Sequence, residues 1–305
     1  MKVSVIIPTY YHEAYIGKAI DSVLAQKGNF NIEIIVSDDA SKDNTVNIVQ
    51  DYVNRYPNSV FLIRYYNNIG TTRNIYNAFL KATGEYICIL AGDDCFCDEK
   101  KIEKQANFLD ANPNCFAVAT AVQSVYIDGE LISISPEKQY LGAYFKREDF
   151  ARGINYPNHG IMFRNNFHEN SVKEAFHIMV EYSKYVDDLT CCLLYFEFGD
   201  VFILPDVTYS VTTRRETDTN QHNYNSVTKK MDMLAEHIVL LDRLRIYFDG
   251  RVDVDGREQP MAWGLFREIM KTKQLSYLKY LSHTPKRLLL IGFLMSVKKH
   301  LHKQK

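Results

Sequence analysis

Short apolar runs alternate with amphipathic stretches through the first third of the chain. Apolar runs that end at turn residues are typical of buried strands, and apolar residues recurring at intervals of three and four indicate helices. Strands alternating with helices form right-handed crossovers, so we expect an α/β fold, a parallel sheet with helices on both faces. The pattern predicts strands at residues 3–7, 32–37, 60–65 and 86–90, and helices at about residues 16–26, 46–56, 72–82 and 98–110.

The pattern is less regular in the remainder of the chain. Strands are predicted at residues 117–121 and 125–134, with Asp128-Gly129 as the turn of a hairpin. From about residue 225, apolar residues recur at helical spacing. We therefore expect an α/β domain over residues 1–222 and a helical C-terminal extension over residues 223–305.

Composition and charge narrow the functional class. The chain has 305 residues and a formal net charge of −1, so no global field favours nucleic acid as a partner. Its six cysteines form no C-x-x-C pair and lie in apolar runs, which favours free thiols in a reducing compartment. The apolar stretch at the N-terminus is too short for a signal peptide. These features predict a cytoplasmic protein.

The C-terminal tail combines a short apolar stretch with basic flanks. The apolar stretch, within residues 288–297, is too short to span a bilayer. Its flanks carry Lys286, Arg287, Lys298 and Lys299, which suits an interfacial helix on anionic lipid, at the inner face of the plasma membrane. A helix packed against the domain or a partner subunit is an equally good interpretation.

Polar residues follow three of the predicted strands at the point where each strand ends. They are Pro8-Thr9-Tyr10, Asp38-Asp39 and Asp93-Asp94. Ligands of open parallel sheets bind beyond the carboxyl ends of the strands, so we expect a site here. No G-x-G-x-x-G follows the first strand and the chain has no P-loop motif. A phosphate-bearing ligand would then need a metal, and carboxylates suit Mg²⁺ or Mn²⁺. Two surface aspartates on a solvated turn are the simpler interpretation of the last pair alone.

Several sequence blocks together resemble family 2 glycosyltransferases with the GT-A fold. The resemblance is close over about the first 120 residues and loose to about residue 220. It implies a Rossmann-like, mostly parallel sheet flanked by helices, and transfer of a hexosyl or N-acetylhexosaminyl group from a nucleotide sugar, UDP-linked above all. It also implies a further strand at residues 201–206. The blocks are SVIIPTY at 4–10, IDSVLAQ at 20–26, EIIVSDDASKDNT at 33–45, NIG at 68–70 followed by Arg73-Asn74, and ATGEYI at 82–87.

The resemblance implies roles for residues of the first half. Pro8, Tyr10 and Glu13 would line the nucleobase pocket, with Tyr10 as a stacking face. Asp39 would accept a hydrogen bond from the base, and Arg73 would approach the phosphates or the sugar of the donor. Without the resemblance, these positions are an ordinary strand-end turn and a solvated helix arginine.

The second acidic pair resembles the metal-binding motif of the family. Asp94 would ligate a divalent cation, Mn²⁺ or Mg²⁺, and Asp93 would share in the metal site and contact ribose or sugar hydroxyls. Because both follow the end of a strand, we expect them outside the packed core. The fuller family motif is D-x-D-D, and this chain has Ala91 at its first position, which leaves ligation to the remaining pair.

The second half offers a candidate base and a candidate lid. The family has a Glu-Asp pair at the start of a helix, and the second carboxylate is the catalytic base. Here the pair is Asp187-Asp188, so Asp188 is the predicted base. Both could instead be acids that stabilise a helix N-terminus. Where the family has Arg-x-His, this chain has Arg214 and Arg215 somewhat later; they form a lid over the diphosphate or belong to an ordinary loop.

Two functions are consistent with these features. The first is a metal-dependent, inverting glycosyltransferase that acts on a glycan or lipid-linked acceptor in bacterial surface polysaccharide or capsule synthesis at the cell envelope. The second, suggested by Ala91 and the altered lid, is a catalytically silent nucleotide-sugar-binding subunit of a glycan-assembly complex.

Overall fold

A ten-stranded mixed sheet organises the protein. The computed structural model describes residues 1–146, 148–149, 158–184, 188–213, 227–249, 251 and 253–289. The strands are β1 (Lys2–Thr9), β2 (Asn31–Asp38), β3 (Val60–Arg64), β4 (Tyr86–Ile89), β5 (Cys95–Phe96), β6 (Cys115–Tyr126), β7 (Leu131–Ser135), β8 (Ala143–Phe145), β9 (Met162–Arg164) and β10 (Asp200–Thr213). The helices are α1 (Ile16–Leu24), α2 (Thr45–Arg55), α3 (Thr71–Phe79), α4 (Lys101–Ala111), α5 (Asn170–Tyr182), α6 (Asp188–Phe198), α7 (Val227–Phe248), α8 (Asp255–Thr272) and α9 (Leu278–Leu281).

The strand order is β3-β2-β1-β4-β9-β6-β10-β5, with β7 beside β6 and β8 beside β10. The first four strands of this order are parallel. The short strand β9 is antiparallel to both β4 and β6 and joins the two halves of the sheet. The predicted α/β class with a mostly parallel, helix-flanked sheet is confirmed, and helices are present after the sheet in the C-terminal part.

Alternate residues of β1 supply the two faces of the sheet. Ile6 belongs to a cluster that includes residues of α3, α5, α6 and α7. Val5 and Ile7 belong to a second cluster that includes residues of α1, α2 and α4. This two-residue alternation, repeated along β2 and β4, buries both faces, as a parallel sheet requires.

The helical C-terminal part packs in two ways. Leu240, Leu241, Leu244 and Phe248 of α7 are buried in the same cluster as the sheet residues. Other residues of α7 form a separate cluster with α8 and α9. The division into residues 1–222 and 223–305 stays a prediction, but α7 contributes to the core of the sheet.

Two strand predictions need correction. Residues 115–126 form one strand instead of two, because the pairing of β6 with β10 continues after the sequence turns polar at Gln123 and Ser124. Strand β10 extends to Thr213, beyond the predicted residue 206. The hairpin turn is at Asp128-Gly129 as predicted, with Gly129 at a φ of 89°.

Several predictions fall partly or wholly outside the described residues. Asp187, Arg214, Arg215 and residues 290–305 of the tail are among them. At the start of the tail, Leu288 is buried and Leu289 packs on the cluster of α7 and α8. Within the described ranges, no helix combines the length and apolar character needed to cross a membrane. Membrane contact by the tail stays a prediction.

Candidate active site

The carboxyl end of β1 holds both acidic turns of the first half. The carbonyl of Thr9 accepts a hydrogen bond from the amide of Asp39 at 3.0 Å, and the carbonyl of Pro8 accepts one from the amide of Gly92 at 3.1 Å. Because β1 lies between β2 and β4, the two turns lie on either side of one strand end. The predicted convergence of polar strand ends is therefore present.

In the first turn, Asp39 organises the loop that precedes α3. Asp39 is buried, with only 3% of its surface exposed. Its Oδ1 accepts the amide of Ile69 at 2.7 Å and its Oδ2 accepts the amide of Gly70 at 3.0 Å. Burial raises the pKa of Asp39 above its ordinary value, and the two amide hydrogen bonds oppose that shift.

The loop held by Asp39 requires a glycine. Gly70 has a φ of 89°, a conformation that side chains disfavour. A Cβ there would also lie 2.5 Å from Cγ of Lys184. The carbonyl of Lys184 accepts the amide of Thr72 at 3.3 Å. The segment before α6 is thereby packed directly against this loop.

In the second turn, Asp94 is held by β10. The hydroxyl of Tyr209 donates to its Oδ2 at 2.8 Å, and the amide of Thr212 donates to its Oδ1 at 2.9 Å. The same hydroxyl accepts the amide of Ala91 at 3.0 Å. Asp94 is only 5% exposed, so the expectation that both carboxylates lie outside the packed core is wrong for this one. Burial first, and the charge of Asp93 second, raise the pKa of Asp94 to about 7.

Asp93 faces the solvent side of the same turn. Its side chain is 37% exposed, and its Oδ2 lies 3.8 Å from Nε2 of His12. Nδ1 of His12 lies 3.2 Å from Oγ1 of Thr9. A Cβ on Gly92 would lie 2.6 Å from the His12 ring. The glycine therefore permits the close approach of this histidine to the acidic turn.

A cleft of about 380 Å³ opens beside these two turns. Pro8, Tyr10 and Asp39, all predicted for the nucleobase pocket, line it together. Glu13 and Arg73 are exposed and are not among its lining residues; the carboxylate of Glu13 accepts the amide of Asn44 instead. Asp93 and Asp94 are not lining residues either, and the cleft reaches the second turn only through Ala91 and His12. The other lining residues are Thr9, His12, Asn68, Gly70, Thr71, Asn74, Ala91 and Met233.

The acidic turn after β4 fits a divalent cation that the ligand helps to hold. Within the described ranges, no three histidine, cysteine or acidic side chains cluster as a metal site. Mg²⁺, however, is commonly bound by one or two carboxylates together with substrate phosphates. Asp93 and Asp94 provide such a pair, with one carboxylate exposed and the other fixed by two donors.

Behind Tyr209, a buried lysine fixes a backbone turn. Lys101 is fully buried, and its Nζ donates to the carbonyl of Gly160 at 3.0 Å. Gln105 and Thr120 donate to the same carbonyl. Burial lowers the pKa of Lys101 to about 8. The neighbouring His159 ring lies 5.9 Å from the Tyr209 ring, so this turn supports the residue that holds Asp94.

The candidate base, Asp188, is the first residue of α6. The backbone position agrees with the predicted acidic start of a helix, and its neighbour Asp187 lies outside the described residues. The segment that leads to it includes Lys184, which contacts the loop at Gly70. The role of Asp188 stays a prediction.

Four residues near the site were not predicted. His12, Asn74 and Met233 line the cleft, and Tyr209 holds Asp94. Asn74 belongs to one of the recognised blocks and could have been found there; its amide donates to the carbonyl of Ser37 at 2.8 Å. Met233 has the same sequence signal as any apolar helix residue, so nothing marked it.

The chain resembles known glycosyltransferases in sequence. The glycosyl transferase family 2 profile matches residues 4–169, more than half of the chain. The chain is 36% identical over 126 residues to Rv1520 of Mycobacterium tuberculosis, covering 41% of this chain and 36% of that protein. It is 34% identical over 121 residues to EpsE of Bacillus subtilis, which is named as a glycosyltransferase, covering 40% of this chain and 43% of that one. The chain thus spans less than half the length of these relatives.

Solved structures share the fold at low identity. TarS 1–349 of S. aureus in complex with UDP-GlcNAc has a TM-score of 0.61 at 17% identity, covering 94% of this chain and 83% of that one. The mannosyltransferase PcManGT of Pyrobaculum calidifontis, in complex with GDP-Man and Mn²⁺, has a TM-score of 0.55 at 16% identity, covering 97% and 80%. Taken with the profile match and the paired acidic turns, these similarities show that the chain belongs to glycosyl transferase family 2 and has its GT-A type of fold.

Proposed function

We propose that this protein moves a sugar from a nucleotide-sugar donor to a hydroxyl group of a glycan or lipid-linked acceptor, with inversion at the anomeric carbon. The observation that carries the proposal is the cleft at the end of β1, with one acidic turn on each side of the strand. A donor of this class has a nucleobase at one end and a diphosphate at the other. The two turns offer a separate partner for each end.

The nucleobase is the part that we assign to the first turn. The Tyr10 ring, 36% exposed at the cleft, can stack on a base. Each carboxylate oxygen of Asp39 accepts one backbone amide. A carboxylate oxygen has two lone pairs, so Asp39 can also accept an N–H of the base.

The diphosphate is the part that we assign to the second turn. Asp93 and Asp94 would hold Mg²⁺ or Mn²⁺ together with the donor. When bound, the cation supplies positive charge that neutralises the departing nucleoside diphosphate. Oδ2 of the exposed Asp93 lies 3.8 Å from Nε2 of His12, which is a lining residue of the cleft, while the hydrogen bonds of Asp94 fix the direction of its carboxylate.

The acceptor is activated, in this proposal, by Asp188. The carboxylate takes the proton of the acceptor hydroxyl as that oxygen bonds to the anomeric carbon and the bond from carbon to the diphosphate oxygen breaks. Asp187 would assist as its neighbour, Arg73 would approach the donor phosphates, and Arg214 or Arg215 would cover the diphosphate. The position of Asp188 at the start of α6 supports this role.

The acceptor and pathway are proposed from the family and from the predicted tail. A glycan or lipid-linked saccharide at the inner face of the plasma membrane fits a cytoplasmic protein with a basic tail. The solved neighbours bind UDP, UDP-GlcNAc and GDP-Man. UDP- and GDP-linked sugars, including hexosyl and N-acetylhexosaminyl donors, are therefore the first to test.

The test is a panel of nucleotide sugars measured for binding and for hydrolysis, with and without Mn²⁺, on the wild-type chain and on Asp188→Asn. We expect one donor to bind in a Mn²⁺-dependent manner and to be hydrolysed slowly by the wild type. Once an acceptor is found, Asp188→Asn should lower turnover by about 10²–10⁴-fold, the usual worth of a general base, with donor affinity nearly unchanged. Asp187→Asn, the matched control, should cost less.

Two outcomes would change this conclusion. Donor binding without hydrolysis or transfer to any acceptor would favour the silent binding subunit. Normal turnover in Asp188→Asn would remove that residue as the base while leaving the donor site standing.

A further inference from the structure

One face of α7 connects the core of the protein to the donor cleft. Leu240 and Leu244 are fully buried in the cluster that includes the sheet. Met233 and Glu236 lie on the same face, because residues at intervals of three and four share one side of a helix. Leu240 and Leu244 therefore fix the C-terminal half of this face in the core, and Met233, nearer the start of α7, lies at the cleft.

Met233 is the residue that this face presents to the cleft. It lines the cleft with Asp39, Asn68 and Gly70, and it remains 37% exposed. Covering this exposed side chain with a bound ligand would be favourable, because apolar surface would be removed from water. Its thioether is flexible and polarisable, and it makes favourable contacts with aromatic rings.

Contacts made by α7 connect Met233 to the end of the cleft that we assign to the nucleobase. One turn further along α7, the carboxylate of Glu236 accepts the amide of Lys184 at 3.0 Å. The side chain of Lys184 packs against Gly70, whose amide is bound to Asp39. This chain of contacts ties α7 to the first acidic turn, the end of the cleft assigned to the nucleobase.

We propose that Met233 contacts the nucleobase of the bound donor, so that helix α7 of the C-terminal extension completes the donor site. This inference rests on the proposed function, since it takes the cleft to hold a nucleoside diphosphate. An apolar wall fits the ring face of a base and offers nothing to sugar hydroxyls or phosphate. Met233 is then a determinant of base affinity and of the choice between pyrimidine and purine.

The first experiment is oxidation footprinting of the wild-type chain with dilute peroxide, with and without saturating UDP or GDP in the presence of Mn²⁺. The matched internal control is Met270 on α8, which is 62% exposed and is not among the lining residues of the cleft. We expect the nucleotide to slow oxidation of Met233 several-fold, as measured by mass spectrometry of its peptide, with the rate at Met270 unchanged.

The second experiment separates direct contact from a change elsewhere. Met233→Ala should weaken UDP binding by about tenfold, because it removes apolar area from the base contact. Met233→Leu, which conserves volume, should retain affinity within about threefold. Met270→Ala should have wild-type affinity. Met233→Ala should also change the ratio of UDP to GDP affinity, which a general loss of stability would not do.

The outcomes distinguish this inference from the proposed function. If the wild type binds neither UDP nor GDP in calorimetry, the proposed nucleotide site itself fails. If the wild type binds a nucleotide but Met233 oxidises at the same rate with and without it, the contact is refuted. Equal nucleotide affinity in Met233→Ala and wild type would refute it as well.

Discussion

The two acidic turns share an Asp-Asp pair but differ in which carboxylate of the pair is the more accessible. In the turn after β2, the second carboxylate, Asp39, shapes the cleft, while the first, Asp38, is fully buried behind it with one hydrogen bond to the amide of Ser41 at 3.0 Å. In the turn after β4, the first carboxylate, Asp93, is exposed and the second, Asp94, is buried. The order of the two residues within the pair therefore does not determine which carboxylate is the more accessible.

The difference arises from the partners of each turn. Asp39 binds two amides about thirty positions further along the same half of the chain. Asp94 binds Tyr209 and Thr212 of β10, the strand that pairs with β5 directly after Asp94. The first turn is a local assembly, whereas the second depends on the long-range pairing of β5 with β10. Substitutions in the two turns should differ accordingly.

The largest effect is expected from Asp94→Asn. The amide preserves the shape of the side chain and removes the charge, so Mn²⁺-dependent UDP binding should weaken by more than about a hundredfold. Calorimetry with UDP, with Mn²⁺ and with EDTA, measures this loss. Asp98→Asn is a matched control, because Asp98 is paired with Lys104 and lies outside the acidic turn. Unchanged Mn²⁺ dependence in Asp94→Asn would show that this turn is not the metal site.

A smaller effect, on stability, is expected from Asp39→Asn. An amide oxygen can accept only one of the two backbone amides with the present geometry, and the other would face an NH₂ group. The free energy of unfolding should fall by about 1–3 kcal/mol, the cost of a buried unpaired donor. Urea denaturation without metal measures this change.

The control for Asp39→Asn is Asp38→Asn. Within the described part of the chain, Oδ1 of Asp38 has no hydrogen-bond partner, and the amide oxygen can keep the bond to Ser41. We expect a loss of less than about 1 kcal/mol. A larger loss in Asp38→Asn than in Asp39→Asn would contradict the assignment of the structural role to Asp39.

The smallest effect is a pH dependence of Mn²⁺ binding, which we assign to the second turn. Because the pKa of Asp94 is about 7, its carboxylate becomes protonated as the pH falls through that value, and metal binding needs the ionised form. Mn²⁺ affinity in the presence of UDP should fall by about tenfold between pH 8 and pH 6. As the pH falls from 8 to 6, the free energy of unfolding of the metal-free protein should rise. The reason is that the raised pKa of Asp94 lets the folded state bind a proton that the unfolded state does not bind in this range.

The pH experiment has its own control. In Asp94→Asn, the remaining weak Mn²⁺ affinity should vary less between pH 8 and pH 6 than it does in the wild type. Equal slopes in the two proteins would assign the titration to another group, such as His12 beside Asp93.

Much of the first half of the fold could be predicted from the sequence, because each buried strand there is an apolar run that ends at turn residues. The strand and helix bounds agree within a few residues for β1, β2, α2 and β3. The prediction failed where pairing overrode local polarity: β6 continues through Gln123 and Ser124 because β7 and β10 lie on either side.

The candidate site was predictable where residues of the recognised blocks lie at a strand end, as for Pro8, Tyr10 and Asp39, but not for Arg73, which lies on a helix. It was not predictable where long-range packing places a common residue beside the cleft. Tyr209 and Met233 are such cases, since an aromatic strand residue and an apolar helix residue have no local signature of function. The burial of Asp94 was missed for the same reason.

The strand order also has a consequence for biosynthesis. Strand β9, at residues 162–164, lies between β4 and β6, so a nascent chain cannot join the two halves of the sheet until that segment has left the ribosome. The carboxylate of Asp94 can be fixed only after Tyr209 and Thr212 have been synthesised, more than one hundred residues later in the chain. Until those residues emerge, the second acidic turn lacks the hydroxyl and amide that fix it. The chain therefore has to be synthesised through β10 before it can acquire a finished metal-binding turn, even though the motif itself is complete at residue 94.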